Sequence, residues 1–494
     1  MCDLPNDEKE TGVTGQAAQA QETTYDVVVV GAGTAGLPCA ITAAEGGARV
    51  LLVEKDAQIG GTLHISGGHM SAAGTRRQAE RGIVDSPEEH LADIRRISKG
   101  TAREDLIQIQ VRHAAETIDW LDDLGFNFAP ETPRIIYGHE PYNTPRTYYG
   151  RDEGLSILEV LRKELERVQA AYDLTLWTNA PVTEIRQDAQ GRVCGVTVFR
   201  DGRDIAVDAR HVVLATGGFG SDPELFAELE GSPLVSAAYK TSTGDGIHLA
   251  RALGAGLQGK GTYLPTFGGL PDPRTPGRAN WGDRQRLTRE RPPFEIYVNR
   301  DGRRWVAEDE PSIDEKERAL TQIPDQTFWT VFDDYALSQS TGPMEMIVGY
   351  GPDEVRAMMN KREGLHSADT LEELAALAGI NPANLVETVA RYNDAVARGV
   401  DEEFGRKHLP APIAQPPFYA IRNHGITLVT FVGLDIDDTF TVRTEAGERI
   451  EGLYAIGEVI GAGATCGNSF CSGMLVTPAL TFGRLLGRRL AATR

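Results

Sequence analysis

Six residues near the start of the chain constrain its fold most. Gly31-Ala-Gly-Thr-Ala-Gly36 has the spacing G-x-G-x-x-G and follows residues 25–30 (YDVVVV), an apolar, β-branched run typical of a strand buried on both faces. In such a turn Gly31 allows the tight bend, Gly33 lets the backbone approach a pyrophosphate, and Gly36 lets helix and strand pack closely. The pattern predicts a Rossmann βαβ unit with the pyrophosphate at the helix N-terminus.

A carboxylate at the end of the next predicted strand strengthens this interpretation. Glu54 lies 23 residues after Gly31, where an acid accepts hydrogen bonds from ribose hydroxyls and disfavours a 2′-phosphate. We therefore expect an adenine dinucleotide other than NADP. The predicted contacts in this part of the chain are Gly31, Gly33, Thr34, Ala35, Gly36, Glu54 and Lys55.

Composition excludes several classes of function. The net charge of −21 argues against nucleic acid as a partner, because phosphate binding needs a basic surface. Five scattered cysteines indicate neither a disulfide framework nor an iron–sulfur or other metal site. Residues 1–23 are polar and predict a disordered lead-in rather than a signal peptide. With no apolar run of membrane-spanning length, we expect a cytoplasmic protein without a membrane span.

The length of 494 residues favours two domains. Strand and helix patterns alternate up to about residue 262, become mixed over 263–415, and return to strands and a final apolar helix. The predicted fold class is α/β: a Rossmann-type domain built from residues 24–262 and 416–494, with an inserted α+β capping domain at 263–415.

Further motifs resemble one superfamily. Gly60-Gly-Thr-Leu-His-Ile-Ser-Gly-Gly68 is similar to the flavin-contacting loop of the fumarate reductase/succinate dehydrogenase flavoproteins, which include fumarate reductases, urocanate reductases and 3-ketosteroid Δ1-dehydrogenases. Matching stretches follow in the superfamily's order up to Gly452-Leu-Tyr-Ala-Ile-Gly-Glu-Val459. The resemblance implies FAD as the cofactor. It implies these further contacts: Gly61, Thr62, Ser66, Gly67, Gly68, Val182, Ala215, Thr216, Gly217, Asp245, Glu458, Ser472, Met474 and Leu475.

The resemblance also predicts how the flavin is held. Some relatives tether FAD through a histidine, but alignment on Gly67-Gly68 puts that position on Gly61 and not on His64, so we expect non-covalent FAD. Glu458 is expected to accept hydrogen bonds from the ribityl chain. The start of the last helix, near residues 472–476, is expected to direct N–H groups at the flavin pyrimidine and stabilise the reduced state.

The reaction implied by the resemblance is hydride transfer between flavin and carbon, with a proton moved on the adjacent carbon. The catalytic arginine of fumarate reductases corresponds to Arg291, although a merely solvated basic stretch is an open alternative. Their cationic substrate-binding residues correspond to Val429 and to Phe470 or its neighbour Ser469. The carboxylate groups of a dicarboxylate would have no cationic partner there, so the sequence argues against fumarate reduction.

The C-terminal pattern resembles ketosteroid and cyclic-ketone dehydrogenases more closely, but their catalytic tyrosines fall on Ser312 and on Ser469 or Phe470. Tyrosines cluster instead in a proline-rich loop. Tyr142, Tyr148 and Tyr149 are the candidates for proton transfer or carbonyl polarisation, with Arg291; packing of the loop is the alternative role.

These arguments predict an FAD-dependent dehydrogenase. It would introduce a C=C bond next to the carbonyl of a largely apolar, cyclic ketone and pass electrons to an unknown acceptor. Two alternatives stay open: an enone or unsaturated-acid reductase, and a non-catalytic flavin-binding redox sensor or subunit.

Overall fold

A computed structural model describes residues 24–136, 140–270, 275, 277–279, 287 and 291–493. The predicted lead-in at residues 1–23 lies outside them. The elements up to the first domain crossing are β1 (Thr24–Val30), α1 (Gly36–Glu45), β2 (Val50–Val53), β3 (Met70–Ser71), α2 (Arg76–Glu80), α3 (Pro87–Ile97), α4 (Glu104–Asp123), β4 (Thr147–Tyr148), α5 (Gly154–Ala171), β5 (Leu174–Trp177), β6 (Val182–Gln187), β7 (Val193–Arg200), β8 (Arg203–Leu214), α6 (Pro223–Glu230), α7 (Asp245–Arg251) and β9 (Leu257–Gln258).

The chain then forms a second set of elements and returns. The second set is β10 (Thr266–Phe267), β11 (Ile296–Asn299), α8 (Ile313–Leu320), β12 (Thr327–Asp333), α9 (Asp334–Ser338), α10 (Pro352–Met358), β13 (Leu365–Ala368), α11 (Leu371–Ala378), α12 (Pro382–Arg398) and β14 (Phe418–Ile426). The return comprises β15 (Gly433–Leu434), β16 (Thr441–Arg443), β17 (Arg449–Ala455), α13 (Gly463–Cys466) and α14 (Val476–Ala492). Short 3-10 helices lie at Gly61–His64, Pro324–Gln326, Gly342–Met344 and Gly457–Ile460.

The larger sheet joins the two ends of the chain. Within the described residues it has eight strands in the order β16-β17-β8-β1-β2-β5, with β7 and then β6 branching from β8. Strand β1 pairs in parallel with β2 and β8, and β8 pairs in parallel with β17. Val27, Val28 and Val29 are fully buried, as expected for a parallel strand covered on both faces.

The last helix reaches back to the first. A Cβ atom added at Gly483 would lie 2.4 Å from Ala35 O, and one added at Gly487 would lie 2.4 Å from Cys39 O. The two glycines thus let α14 pack closely against α1. This packing brings the end of the chain to the predicted dinucleotide turn.

The smaller sheet belongs to the inserted segment. It has five strands among the described residues, in the order β10-β14-β12-β11, with β13 also paired to β14. Strand β14 follows residue 415, so this sheet draws one strand from beyond the boundary that the sequence predicts at 415/416. The division into domains stays a prediction, while the mixed α/β flavoprotein fold is confirmed.

Residues 83–127 differ from the helical stretch that the sequence predicts. Helix α3 starts as expected, with Ser86 Oγ accepting a hydrogen bond from Glu89 N at 3.2 Å and Pro87 in the first turn. It ends before Lys99 and Gly100, which have φ of +52° and +73° and turn the chain into α4. Within the described residues, no helix combines the length and apolar character needed to cross a bilayer.

Candidate functional site

A deep cleft opens at the carboxyl ends of β1, β2 and β8. Most of the predicted cofactor contacts line it. They are Gly31, Gly33, Thr34, Ala35, Glu54, Lys55, Gly61, Thr62, Ser66, Val182, Ala215, Thr216, Gly217, Asp245, Glu458 and Leu475. Because the carboxyl ends of parallel strands meet at one edge of a sheet, residues from both ends of the chain converge here.

The glycine turn forms one end of the cleft. Gly31 has φ of +102°, and a Cβ atom there would lie 2.4 Å from Ala215 O. A Cβ atom at Gly36 would lie 1.8 Å from Gly31 O, whereas one at Gly33 would meet no atom within 4 Å. No side chain among the described residues caps α1, which leaves its N-terminus to a phosphate group.

Glu54 lies beside this turn with its carboxylate held in place. Its Oε2 atom accepts a hydrogen bond from Ala32 N at 2.9 Å, and its Oε1 atom accepts one from Asp56 N at 2.9 Å. Lys55 forms an ion pair of 2.8 Å with Asp245, which ties the end of β2 to the start of α7. The arrangement presents a fixed carboxylate acceptor for ribose hydroxyls, beside a lysine whose charge is paired with Asp245.

Glu458 also lines the cleft. Its Oε1 atom accepts hydrogen bonds from Thr430 N at 3.0 Å and from Thr430 Oγ1 at 3.3 Å. Burial raises the pKa of Glu458, although both hydrogen bonds act to lower it. A phosphate-binding turn, a ribose acceptor and a second polyol acceptor in one cleft match the chemistry of FAD, so the residues fit this cofactor.

Five predicted contacts lie outside the cleft lining: Gly36, Gly67, Gly68, Ser472 and Met474. Met474 is fully buried, and its backbone N–H donates to Cys471 O at 3.0 Å. Ser472 Oγ lies 3.1 Å from Thr147 Oγ1. Helix α14 starts at Val476, so its first turn lines the cleft with Val476, Pro478 and Ala479 instead.

His64 lies beside the cleft. Its Nε2 atom is 3.0 Å from Ile59 O, and its ring stacks on that of Tyr239 at 5.8 Å between centroids. Cys466 and Cys471 are both buried in an apolar cluster with Met474, consistent with structural thiols.

The structure does not bring the predicted catalytic loop tyrosines to the cleft. Tyr148 is fully buried, its hydroxyl lies 2.5 Å from Thr75 Oγ1, and burial raises its pKa. The Tyr142 hydroxyl lies 2.6 Å from Thr147 Oγ1 and accepts from Ile136 N at 2.8 Å. Both hydroxyls are therefore held by structural hydrogen bonds, that of Tyr142 within its own loop and that of Tyr148 at the start of α2.

Tyr149 and Arg291 also lie away from the cleft lining. The Tyr149 hydroxyl donates to Glu131 Oε1 at 2.5 Å, and burial with this bond raises the pKa of the phenol. Arg291 forms two hydrogen bonds of 2.9 Å with Glu295, and its side chain is 7% exposed. Tyr137, His139, Arg284, Arg286 and Arg289 lie outside the described residues.

An apolar wall bounds the cleft on the side of the second sheet. We define this wall as the cluster of Leu264, Phe431, Ala462 and Phe470, with Tyr263, Val429 and Leu475 packed against it. Val429, Ala462 and Leu475 also line the cleft. The ring of Phe431 lies 6.0 Å from that of Tyr263 and 5.4 Å from that of Phe470.

Tyr263 is a residue that the sequence analysis missed. Its hydroxyl lies 3.1 Å from Thr427 Oγ1, and burial, together with the nearby Glu230 carboxyl, raises its pKa. It belongs to no local motif. Its position at the predicted boundary between residues 262 and 263 could have indicated it, because a segment that crosses between two domains lies at their interface.

Comparison with known proteins identifies the family. A sequence profile described as "FAD binding domain" matches residues 26–475. A probable fumarate reductase, Ifc3, of Shewanella frigidimarina (strain NCIMB 400) is 31% identical over 480 residues, which cover 96% of this chain and 76% of that protein. The 4-oxocyclohexanecarboxylate 2-dehydrogenase of Sinomonas cyclohexanicum is 27% identical over 563 residues, which cover 95% of this chain and 93% of that protein.

A solved structure shares the fold. The 3-ketosteroid Δ1-dehydrogenase of Sterolibacterium denitrificans matches with a TM-score of 0.75 at 23% identity, covering 96% of this chain and 100% of that chain. The predictions of superfamily, fold and FAD as cofactor are confirmed. The chain belongs to the FAD-binding family of fumarate reductase/succinate dehydrogenase flavoproteins and is an FAD-dependent oxidoreductase acting on carbon–carbon bonds.

Proposed function

We propose that the protein desaturates a largely apolar, cyclic ketone next to its carbonyl group. The observation that supports this proposal is the apolar wall. By the resemblance, the cationic substrate-binding residues of fumarate reductases correspond to Val429 and to Phe470 or Ser469, and Val429 and Phe470 belong to the wall. A dicarboxylate would leave a charged group unpaired against these side chains, at a cost of roughly several kcal/mol of binding free energy. A ketone ring would be buried there favourably.

Tyr263 is the proposed carbonyl-binding residue. It packs against the wall without lining the cleft itself. Its phenol is neutral near pH 7, so a turn of the hydroxyl proton away from Thr427 lets it donate a hydrogen bond to a ketone oxygen. Thr427 can then donate its own hydroxyl proton to the Tyr263 oxygen. FAD, when bound in the cleft, would supply the hydride acceptor. A polarised carbonyl makes the neighbouring C–H group more acidic. Its proton would pass to a loop tyrosine, to a group linked to Arg291 or to solvent, while the next carbon gives up the hydride.

The loop tyrosines and Arg291 keep a weaker place in the proposal. Each has a partner in the described structure: Thr75 for Tyr148, Thr147 for Tyr142, Glu131 for Tyr149, and Glu295 for Arg291. Unlike Tyr263, none of them belongs to the apolar wall. We also propose that the protein acts in the cytoplasm and passes its electrons to an acceptor yet to be identified.

The reverse reaction is the second candidate. Its support is that Ifc3, named a probable fumarate reductase, is 31% identical to this chain, whereas the 4-oxocyclohexanecarboxylate 2-dehydrogenase is 27% identical. Reduction of an enone would use the same wall and the same hydroxyl. Reduction of a dicarboxylate would need cations that Val429 and Phe470 do not provide.

Anaerobic mixing of the yellow holoprotein with ketones tests the direction and the substrate class. We expect cyclohexanone and steroid ketones to bleach the long-wavelength flavin band without added reductant, and each product to be two hydrogen atoms lighter. Succinate is the matched acid and is expected to leave the band unchanged. If the ketones fail, and dithionite-bleached protein regains its colour with cyclohexenone or fumarate, the protein is a reductase and the desaturase proposal is wrong.

A further inference from the structure

Three successive backbone N–H groups hold two different carboxyl groups. Thr430 N donates to Glu458 Oε1 at 3.0 Å. The next two groups, Phe431 N and Val432 N, donate to Glu230 Oε1 at 2.7 and 2.9 Å. Residues 430–432 are called the bridging segment below. Through this segment, Glu230 at the end of α6 is linked to Glu458 in the cleft.

The bridging segment is also part of the apolar wall. Phe431 is fully buried between Tyr263 and Phe470, and Val429 directly precedes the segment in the cleft lining. On its other side, Thr430 O accepts from Ala462 N at 2.9 Å. Any shift of the segment would therefore move Glu458 and the wall together.

Glu230 is held in an unusual environment for an acid. Its Oε2 atom is buried and accepts no hydrogen bond from the described residues. The ionisable groups that face it are Glu458 and Tyr263, both of which become negative on ionisation. Burial raises the pKa of Glu230 to about 7, against the effect of the two N–H groups and with a further contribution from Glu458.

We propose that Glu230 is a positioning residue, which holds the bridging segment through a neutral carboxyl group and so keeps Glu458 in place to bind FAD. When the proton leaves, Glu230 accepts stronger hydrogen bonds from Phe431 N and Val432 N, and its negative charge repels Glu458. The bridging segment is then drawn towards Glu230 and away from Glu458, and FAD is held less tightly. The proposal rests on Glu458 contacting FAD and not on the identity of the substrate, so the ketone proposal can fail without affecting it.

The test measures release of FAD from the diluted holoprotein, followed by the rise of flavin fluorescence, near pH 6 and near pH 8. For the wild type we expect release to be severalfold faster near pH 8, because Glu230 ionises between these values. Glu230→Gln keeps an oxygen acceptor for Phe431 N and Val432 N and cannot ionise. We expect this variant to release FAD slowly at both pH values.

Two further variants separate positioning from a general effect on folding. Glu230→Ala removes the acceptor, so we expect fast release at both pH values. Glu224→Gln changes an exposed acid in the first turn of the same helix and is expected to behave as the wild type does. If wild-type release does not depend on pH, or if Glu230→Gln keeps the wild-type dependence, the proposal is overturned. A wild-type release rate that does not depend on pH overturns the proposal even if a variant fails to fold.

Discussion

The Tyr263 hydroxyl lies 3.1 Å from Thr427 Oγ1, although 164 residues separate the two in the chain. Tyr263 precedes β10 and Thr427 follows β14, and these strands pair through Thr266 and Ile426. The contact therefore forms where the smaller sheet joins the FAD-binding part of the protein. The distance between the two hydroxyl groups therefore depends on how the smaller sheet is joined to the larger one.

Substitution of this tyrosine tests its proposed role. We expect Tyr263→Phe to slow flavin bleaching by an apolar ketone by about 100-fold, because the carbonyl loses a hydrogen-bond donor in an apolar site. FAD content should stay at the wild-type level. Tyr172→Phe is the matched control, since Tyr172 is 42% exposed and belongs neither to the cleft lining nor to the wall. Equal losses in the two variants, measured by stopped-flow absorbance, would contradict the assignment.

The glycine turn allows two identical substitutions with opposite consequences. We expect Gly36→Ala to destabilise the protein itself, because the new methyl group would overlap Gly31 O. Gly33→Ala puts its methyl group into open space in the cleft, so the unfolding temperature without FAD should stay the same while FAD binding weakens. Thermal melts with and without added FAD distinguish the two outcomes. Similar melts for both variants would show that Gly33 does not face the cofactor.

Arg291 should matter more for stability than for the reaction. Arg291→Gln leaves Glu295 as a buried charge without its main partner, which costs about 3–5 kcal/mol of unfolding free energy. We expect urea denaturation to shift by this amount while the bleaching rate per folded molecule stays close to the wild-type value. The reverse result, a slow reaction in a fully stable variant, would restore the catalytic role that the sequence predicts.

The raised pKa of Glu230 gives the stability of the protein a defined pH dependence. Because the folded protein holds this proton up to about pH 7 and the unfolded chain loses it near pH 4.3, the unfolding free energy should fall as pH rises between these values. The contribution is on the order of 4 kcal/mol at most. Denaturation of wild type and Glu230→Gln across this range should show a smaller slope in the variant. Parallel curves would mean that Glu230 is ionised in the folded protein.

Local patterns were sufficient to predict the cofactor end of the site. The turn at Gly31–Gly36 and the acid at Glu54 depend on contacts between neighbouring strands of one βαβ unit, which a short spacing encodes. Superfamily resemblance added Glu458 and the return of the chain to the larger sheet. These features could be predicted without knowing the conformation of any long loop.

The substrate end could not be predicted in the same way. Whether Tyr148 faces the cleft or Thr75 is decided by the pairing of β4 with β3, two-residue strands whose register no periodicity reveals. Tyr263 owes its place to a contact across most of the second domain. The start of α14 shows a smaller error of the same kind, since the turn over residues 472–475 places Met474 behind the cleft and Val476 in it.

The packing of α14 against α1 also affects how the protein is made. On the ribosome, β1, the glycine turn and α1 emerge long before the glycines that receive α1, Gly483 and Gly487. Until those glycines are translated, the first helix has no partner on that face, and Val476, Pro478 and Ala479 are missing from the cleft. Cofactor loading is therefore expected only after α14 has been translated.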